Sequence, residues 1–245
     1  MTPPRRRTLP RLPICGIALT LLTLLGTSAC THDKAPAPAT TTTAPALTTR
    51  QAELLALTRF TNYRRGTTQI TADIPVQGHP ARLTGRLDWR HGTGLAILQG
   101  NGGVLEHGRH LLRWNHTTVS VRHNWTGPLP TPPPQRGWAQ RELTARASTI
   151  DTALLLLLSL AADRPDNAQL LLRSGARRLG DEEVAGVPVT VFAGPSATPP
   201  QGATPETART TPSRTRYWVE AGGRLRRFSA RLGGGTEWLV ATFSA

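Results

Sequence analysis

Cysteine is almost missing from this chain of 245 residues: only Cys15 and Cys30 occur, both near the N-terminus. No disulfide framework or cysteine-ligated zinc can therefore staple the body of the chain, and its stability must come from packing. Lysine is represented by Lys34 alone, and 15 acidic residues face 29 basic ones, almost all arginine. Catalytic signatures are missing as well. There is no HExxH helix for zinc, no Gly-x-Ser-x-Gly elbow for an acyl-enzyme, and Gly233-Gly234-Gly235 lacks the lysine of a phosphate loop. Six of the seven histidines fall between His79 and His123, but no acidic group gathers with them beyond Glu106, beside His107 and near His110. Ser120, Ser148, Ser159, Ser174 and Ser229 have no activating neighbours, and Asp181-Glu182-Glu183 reads as a solvated strand face. The composition thus points away from an enzyme, a metal site or a resident cofactor. Arginines spread over nearly every strand, with no basic stripe interleaved with aromatics, argue against nucleic-acid binding.

The longest apolar run, Ile14 to Leu25, is too short to span a bilayer with margin. It follows Arg5, Arg6, Arg7 and Arg11 and precedes Thr27-Ser28-Ala29, the order of an export signal occupying residues 1–29. Cys30 comes next, and LLGTSAC resembles a bacterial lipobox, although Thr27 stands where leucine is usual. Cys30 is thus the expected lipid anchor on the extracytoplasmic face of the cell membrane; plain cleavage after Ala29, giving a secreted protein, is the alternative. Residues 30–50, rich in Thr, Ala and Pro, cannot bury enough surface to offset their ordering entropy and read as a tether.

The folded domain is expected over residues 51–245. Thr48 or Thr49 can cap a helix running to about Arg65, with Leu54, Leu57 and Phe60 at helical spacing, Leu55 alongside and Gly66 as its stop. From Thr67 the period becomes two and an antiparallel meander follows, its further strands placed at Gly94 to Leu98, Val104 to His107, His110 to Trp114 and Thr117 to His123. The proline-rich stretch from Pro128 to Gly137 must be an irregular crossing. Ile150 to Asp163, capped by Ser148 or Thr149, reads as a helix apolar nearly all round, which has to be covered on several sides. A short helix with Pro165 in its first turn and Gly175 beyond its end follows. Strands are expected again at Arg177 to Glu183, Val187 to Ala193, Thr215 to Glu220, Arg224 to Leu232 and Glu237 to Phe243. They are interrupted by a tether-like insertion at 195–213.

Two tail segments, RRLGDEEVAGVPVTVFAG and TRYWVEAGGRLRRFSARL, resemble the strand–turn–strand hairpins of LolA-like half-barrel lipoproteins, in particular the actinobacterial LppX/LprG group. Glu220 replaces the aspartate more typical there. The resemblance implies an α+β fold in which a curved antiparallel sheet, a half-barrel, wraps helices on its concave face. It further implies a non-enzymatic, monomeric envelope lipoprotein that binds or carries a hydrophobic ligand, an acyl-chain lipid being the expected class. The alternative from the same fold is a sensing or interaction module of an envelope-stress regulatory system, with a protein partner in the envelope. On this reading Leu83, Leu87, Trp89, Leu95, Ile97, Leu111 and Trp114 form the apolar sheet face, and Leu154, Leu155 and Leu158 the helix across it.

Overall fold

The computed structural model describes residues 45–76, 79–102, 105–196 and 213–244. The expected export signal, Cys30 and residues 197–212 of the expected insertion lie outside them. Among the described residues eleven strands form one open sheet in the order β6-β5-β4-β3-β2-β1-β11-β10-β9-β8-β7, every neighbouring pair antiparallel. The strands are β1 (Thr67–Val76), β2 (His79–Asp88), β3 (Thr93–Gly102), β4 (Leu105–Trp114), β5 (Thr118–Arg122), β6 (Ala139–Glu142), β7 (Arg177–Val184), β8 (Val187–Ala193), β9 (Thr215–Val219), β10 (Leu225–Arg231) and β11 (Trp238–Ser244). The chain therefore meanders outward from β1 to β6 and returns inward from β7 to β11. The two halves are joined where β11 pairs with β1, Ile70 opposite Phe243 and Ala72 opposite Ala241.

Among the described residues three helices accompany the sheet: α1 (Thr49–Arg65), α2 (Thr149–Ser159) and α3 (Ala168–Arg173). Thr48 begins α1 with a capping box, its hydroxyl accepting from the Gln51 amide while the Gln51 side chain accepts from the Thr48 amide at 2.9 Å. Gly66, at φ 76°, ends it. Ser148 caps α2 and Asn167 caps α3, so α3 starts three residues beyond Pro165. The α1 face differs from the one its leucine spacing suggests. Leu57 is 43% exposed, while Ala52, Leu55 and Ala56 are buried, because the helix rests on the core through its smaller residues.

The domain also begins earlier than residue 51. Ala46 bridges to Arg177 and Leu47 is buried in the core, so the last residues of the expected tether belong to the fold. Val104 to His107 and His110 to Trp114, expected as two strands, belong to one: β4 starts at Leu105 and runs on through Gly108 and Arg109, and Val104 lies outside the described residues. The short edge strand β6 carries no apolar alternation that would have announced it; all four of its residues are exposed.

The twisted sheet curves around α2, as strand twist favours. Leu83, Leu87, Trp89, Ala96, Leu98, Leu112 and Trp114 join Phe228, Leu239, Ala241 and Phe243 on the concave side, against Leu154, Leu157 and Leu158 of α2. Four carbonyls in and just beyond the last turn of α2 find side-chain donors. Leu156 O accepts from the Ser159 hydroxyl at 2.7 Å, Leu157 O from Trp89 Nε1 at 3.0 Å, Ser159 O from Arg59 Nε at 2.9 Å and Leu160 O from Asn62 Nδ2 at 2.8 Å. Helix α1 and the sheet thus hold the end of the leucine helix from two directions.

The opposite, convex face is covered in part by the segment between β5 and β6. Arg86 donates to Pro130 O and Thr131 Oγ1, Arg109 to the carbonyls of Trp125 and Gly127, and Arg113 lies over Trp138 at 4.6 Å. Further along the same face Trp218 joins Val184, Val189 and Val191 in a second, smaller apolar cluster. Arg216 and Arg231 both lie over Trp238, each at 4.8 Å.

Candidate functional site

The concave face does not close completely on α2. A cavity of about 460 Å³ opens where β3, β4 and β5 diverge from the first turn of the helix. Its walls are Val76 of β1, Leu98 of β3, Leu112 of β4, and Val119 and Val121 of β5, facing Ile150 and Leu154. Alternation puts these side chains inward, and the pairings Leu98 with His110 and Leu112 with Val121 set them side by side. His110, buried, and His123, exposed, stand at one side of this wall with their rings edge to face at 5.1 Å. Among the described residues no three histidine, cysteine, aspartate or glutamate side chains gather to hold a metal ion.

Beside the cavity, Arg141 of β6 makes a two-pronged pair with Asp151 in the first turn of α2, both bonds 2.6 Å. The Asp151 side chain is fully buried and also accepts from the Ser148 hydroxyl. Burial pushes the Asp151 carboxyl up, but the hydrogen bonds and charge of Arg141, the Ser148 hydroxyl and the Thr144 amide outweigh it, and the group is held below its ordinary value. The carboxylate also sits at the positive end of α2, where the helix dipole favours it. The pair therefore fixes the helix end that forms one wall of the cavity, and it joins the edge strand β6 to that end.

A second hollow of about 550 Å³ lies between α1, α2, α3 and β9, bordered by Leu55, Leu156, Leu160, Leu171 and Tyr217, with the Arg59–Asp166 ion pair (2.8 Å) at its rim. Burial raises the Tyr217 phenol above its ordinary range, against the opposing hydrogen bond to Thr215.

The residues expected to line a ligand site separate into two groups. Leu83, Leu87, Trp89, Trp114, Leu154 and Leu158 share the concave core, and Leu155 packs against it half-buried. Leu95, Ile97 and Leu111 do not belong with them. The register places Leu95 opposite Arg86 and Arg113, and Ile97 opposite Thr84 and Leu111, all on the convex side. A single apolar face containing both Leu111 and Trp114 is impossible in a regular strand, since residues three apart point to opposite sides. Leu111 is nonetheless fully buried, because a convex-face covering hides it. Of the ten expected residues only Leu154 borders the 460 Å³ cavity. Strand patterning alone does not single out Val76, Leu98, Leu112, Val119, Val121 and Ile150. The inward parity of Val119 and Val121 follows from that of Leu112 and Trp114 once the turn at Asn115 is recognised, where the Asn115 amide donates to Thr118 O at 3.0 Å.

No protein-family model matches the chain, and no curated protein does. Among solved structures, the chain is similar to LprF from Mycobacterium bovis, at 10% identity and a TM-score of 0.39, over 82% of this chain and 94% of that one. It is also similar to a domain from Vibrio parahaemolyticus named for outer membrane lipoprotein sorting, at 9% identity and a TM-score of 0.24, over 80% and 92% of the two chains. The sheet order, its curvature and the enclosed leucine helix make the chain an α+β half-barrel.

Proposed function

We propose that the protein is an envelope lipoprotein, anchored through Cys30, that holds a hydrophobic ligand between its sheet and α2 without chemically changing it. The observation that carries this reading is the 460 Å³ apolar cavity at the first turn of α2, within the ~300–1,000 Å³ typical of small-molecule sites. Taking about 30 Å³ for a methylene, close to the share of a water in the liquid, the space suits one acyl chain of about fifteen carbons and not two chains together. Each methylene moved out of water contributes ~0.8 kcal/mol, so one such chain supplies enough to offset the cost of association. Among the described residues no helix is long and apolar enough to cross a membrane, so attachment rests on the N-terminal segment in this reading.

The experiment is uptake of palmitate, followed by native mass spectrometry and organic extraction of the purified protein. The expected result is one bound chain, with uptake abolished by Leu98→Trp and Val121→Trp, which place an indole in the cavity while circular dichroism stays unchanged. An empty protein that takes up no palmitate overturns the carrier reading and leaves the sensing or interaction module in its place.

A further inference from the structure

A hollow of about 640 Å³ lies outside the apolar core. Its floor is one transverse row of the sheet. Gln69 pairs with Arg86, Arg86 with Leu95, Leu95 with Arg113, Arg113 with Ser120 and Ser120 with Gln140, so six strands contribute adjacent side chains to the convex face. Arg86, Leu95, Arg113, Ser120 and Gln140 of this row border the hollow, and Pro133 from the β5–β6 crossing borders it as well.

The charge in this row is unbalanced. Arg86 and Arg113 stand two strands apart, about 10 Å at the usual strand spacing. Arg86 spends its bonds on Thr131 Oγ1 at 2.6 Å and Pro130 O at 3.2 Å, both neutral acceptors, and makes no ion pair among the described residues. The Arg113 guanidinium stacks over Trp138 at 4.6 Å and meets no carboxylate among the described residues. Asp88, the one acid among the described residues bordering the hollow, accepts from the amides of Arg90 and His91 and bonds His91 Nδ1 at 2.8 Å, so the two arginines outnumber the one carboxylate. Around the two cations stand Thr93, Thr118, Ser120 and Gln140, groups that can both donate and accept. Leu95 and Pro133 supply apolar patches on either side. The hollow is several times larger than a bare oxyanion needs, and its lining offers hydroxyl and amide partners beyond the charge.

We propose that this convex pocket binds a small hydroxylated anion, a sugar phosphate in chemical class, with its phosphate between Arg86 and Arg113 and its hydroxyls on Ser120, Thr118 and Gln140. Arginine pairs suit phosphate through several charge-assisted hydrogen bonds, and the stacked indole keeps Arg113 oriented before the ligand arrives. The site faces away from the acyl-chain cavity, so it is independent of the carrier reading. The ligand assigned is one free in solution, since Pro133 of the β5–β6 crossing borders the hollow beside the sheet residues.

The test is calorimetric titration of the full chain carrying Cys30→Ser with glucose 6-phosphate, glucose and inorganic phosphate. Glucose 6-phosphate is expected to bind about tenfold more tightly than either of the others. Arg113→Met is expected to weaken it by about tenfold and Arg113→Lys by several-fold, since lysine keeps the charge but not the stacked fork, whereas Arg82→Gln, on the same face but paired with Asp73, leaves it unchanged. Glucose 6-phosphate that gives no binding heat, Arg113→Met binding like the parent, or phosphate binding as tightly as the sugar phosphate overturns the proposal. Phosphatidylglycerol vesicles present phosphate and hydroxyls on a bilayer. They are expected not to compete, and Arg113-dependent sedimentation with them would overturn the assignment to a free ligand.

Discussion

The indole Nε1 of Trp89, just past the end of β2, donates at 3.0 Å to the carbonyl of Leu157 in the last turn of α2, and Trp114 donates in the same way to Leu154 O at 3.2 Å. Two tryptophans of the concave face thus anchor a helix whose run from Ala153 to Leu158 is wholly apolar. The Leu157 carbonyl has no partner within its helix, so Trp89 satisfies a group that would otherwise be buried unpaired. Trp89→Phe keeps most of the packing and removes only the donor. It is expected to cost about 1–3 kcal/mol in urea unfolding, and more than the same change at Trp125, whose indole bonds the exposed Pro128 carbonyl.

Asp151 links stability to acid. Its carboxyl is held below the ordinary value in the folded protein, so its contribution is fully present above the unfolded value near pH ~4 and is lost as the pH falls through the folded value. Chemical unfolding followed from pH 7 downward should show stability declining below pH ~4, with a shallower decline in Asp151→Asn. Asp151→Ala at neutral pH leaves Arg141 without its partner and α2 without its first-turn carboxylate, and about 3 kcal/mol should be lost.

Gly94 faces Trp114 across the β3–β4 pair, and a Cβ at this position would lie 2.2 Å from the indole ring. The absence of a side chain is what lets the indole lie flat on the strand and reach Leu154. Gly94→Ala should cost about 1–3 kcal/mol and alter the near-ultraviolet circular dichroism of Trp114, with the far-ultraviolet spectrum retained.

Anchoring through Cys30 is expected to place the protein in the detergent phase on phase partitioning, since two acyl chains together release very slowly from membranes. Cys30→Ser should move it to the aqueous phase. An unchanged distribution would exclude the anchor.

Ser196 and Ser213 form an antiparallel bridge, so the chain leaves and re-enters the domain at one place. Replacing residues 197–212 with Asn-Gly, the dipeptide suited to a two-residue hairpin, should change the melting temperature by less than about 4 °C. A larger loss would mean that the segment packs on the domain.

Local chemistry is legible in the order of residues alone. Thr48 and Ser148 announce helix starts, Gly66 a helix stop, and Ala185-Gly186 a tight turn in which both residues adopt positive φ, 51° and 77°. The near-apolar run of α2 requires cover on several sides, and a curved sheet supplies it. These features depend on residues within a few positions of one another, where steric and hydrogen-bonding preferences act alone. The ligand face cannot be read in this way. Period-two alternation shows that a strand has two faces without saying which is inward, and on β3 both faces are apolar: Ala96 and Leu98 on one, Leu95 and Ile97 on the other. Only the pairing register, Leu98 with His110 and Ile97 with Leu111, and the proline-rich crossing that covers the convex side decide between them. Likewise, the pairing of Arg141 with Asp151, the Trp89 bond to Leu157 and the joining of β11 to β1 bring together residues 10, 68 and up to 176 positions apart. Contacts of that kind form only when the whole sheet has closed around its helix, which is why tertiary structure, and not the order of residues, sets where the cavity opens.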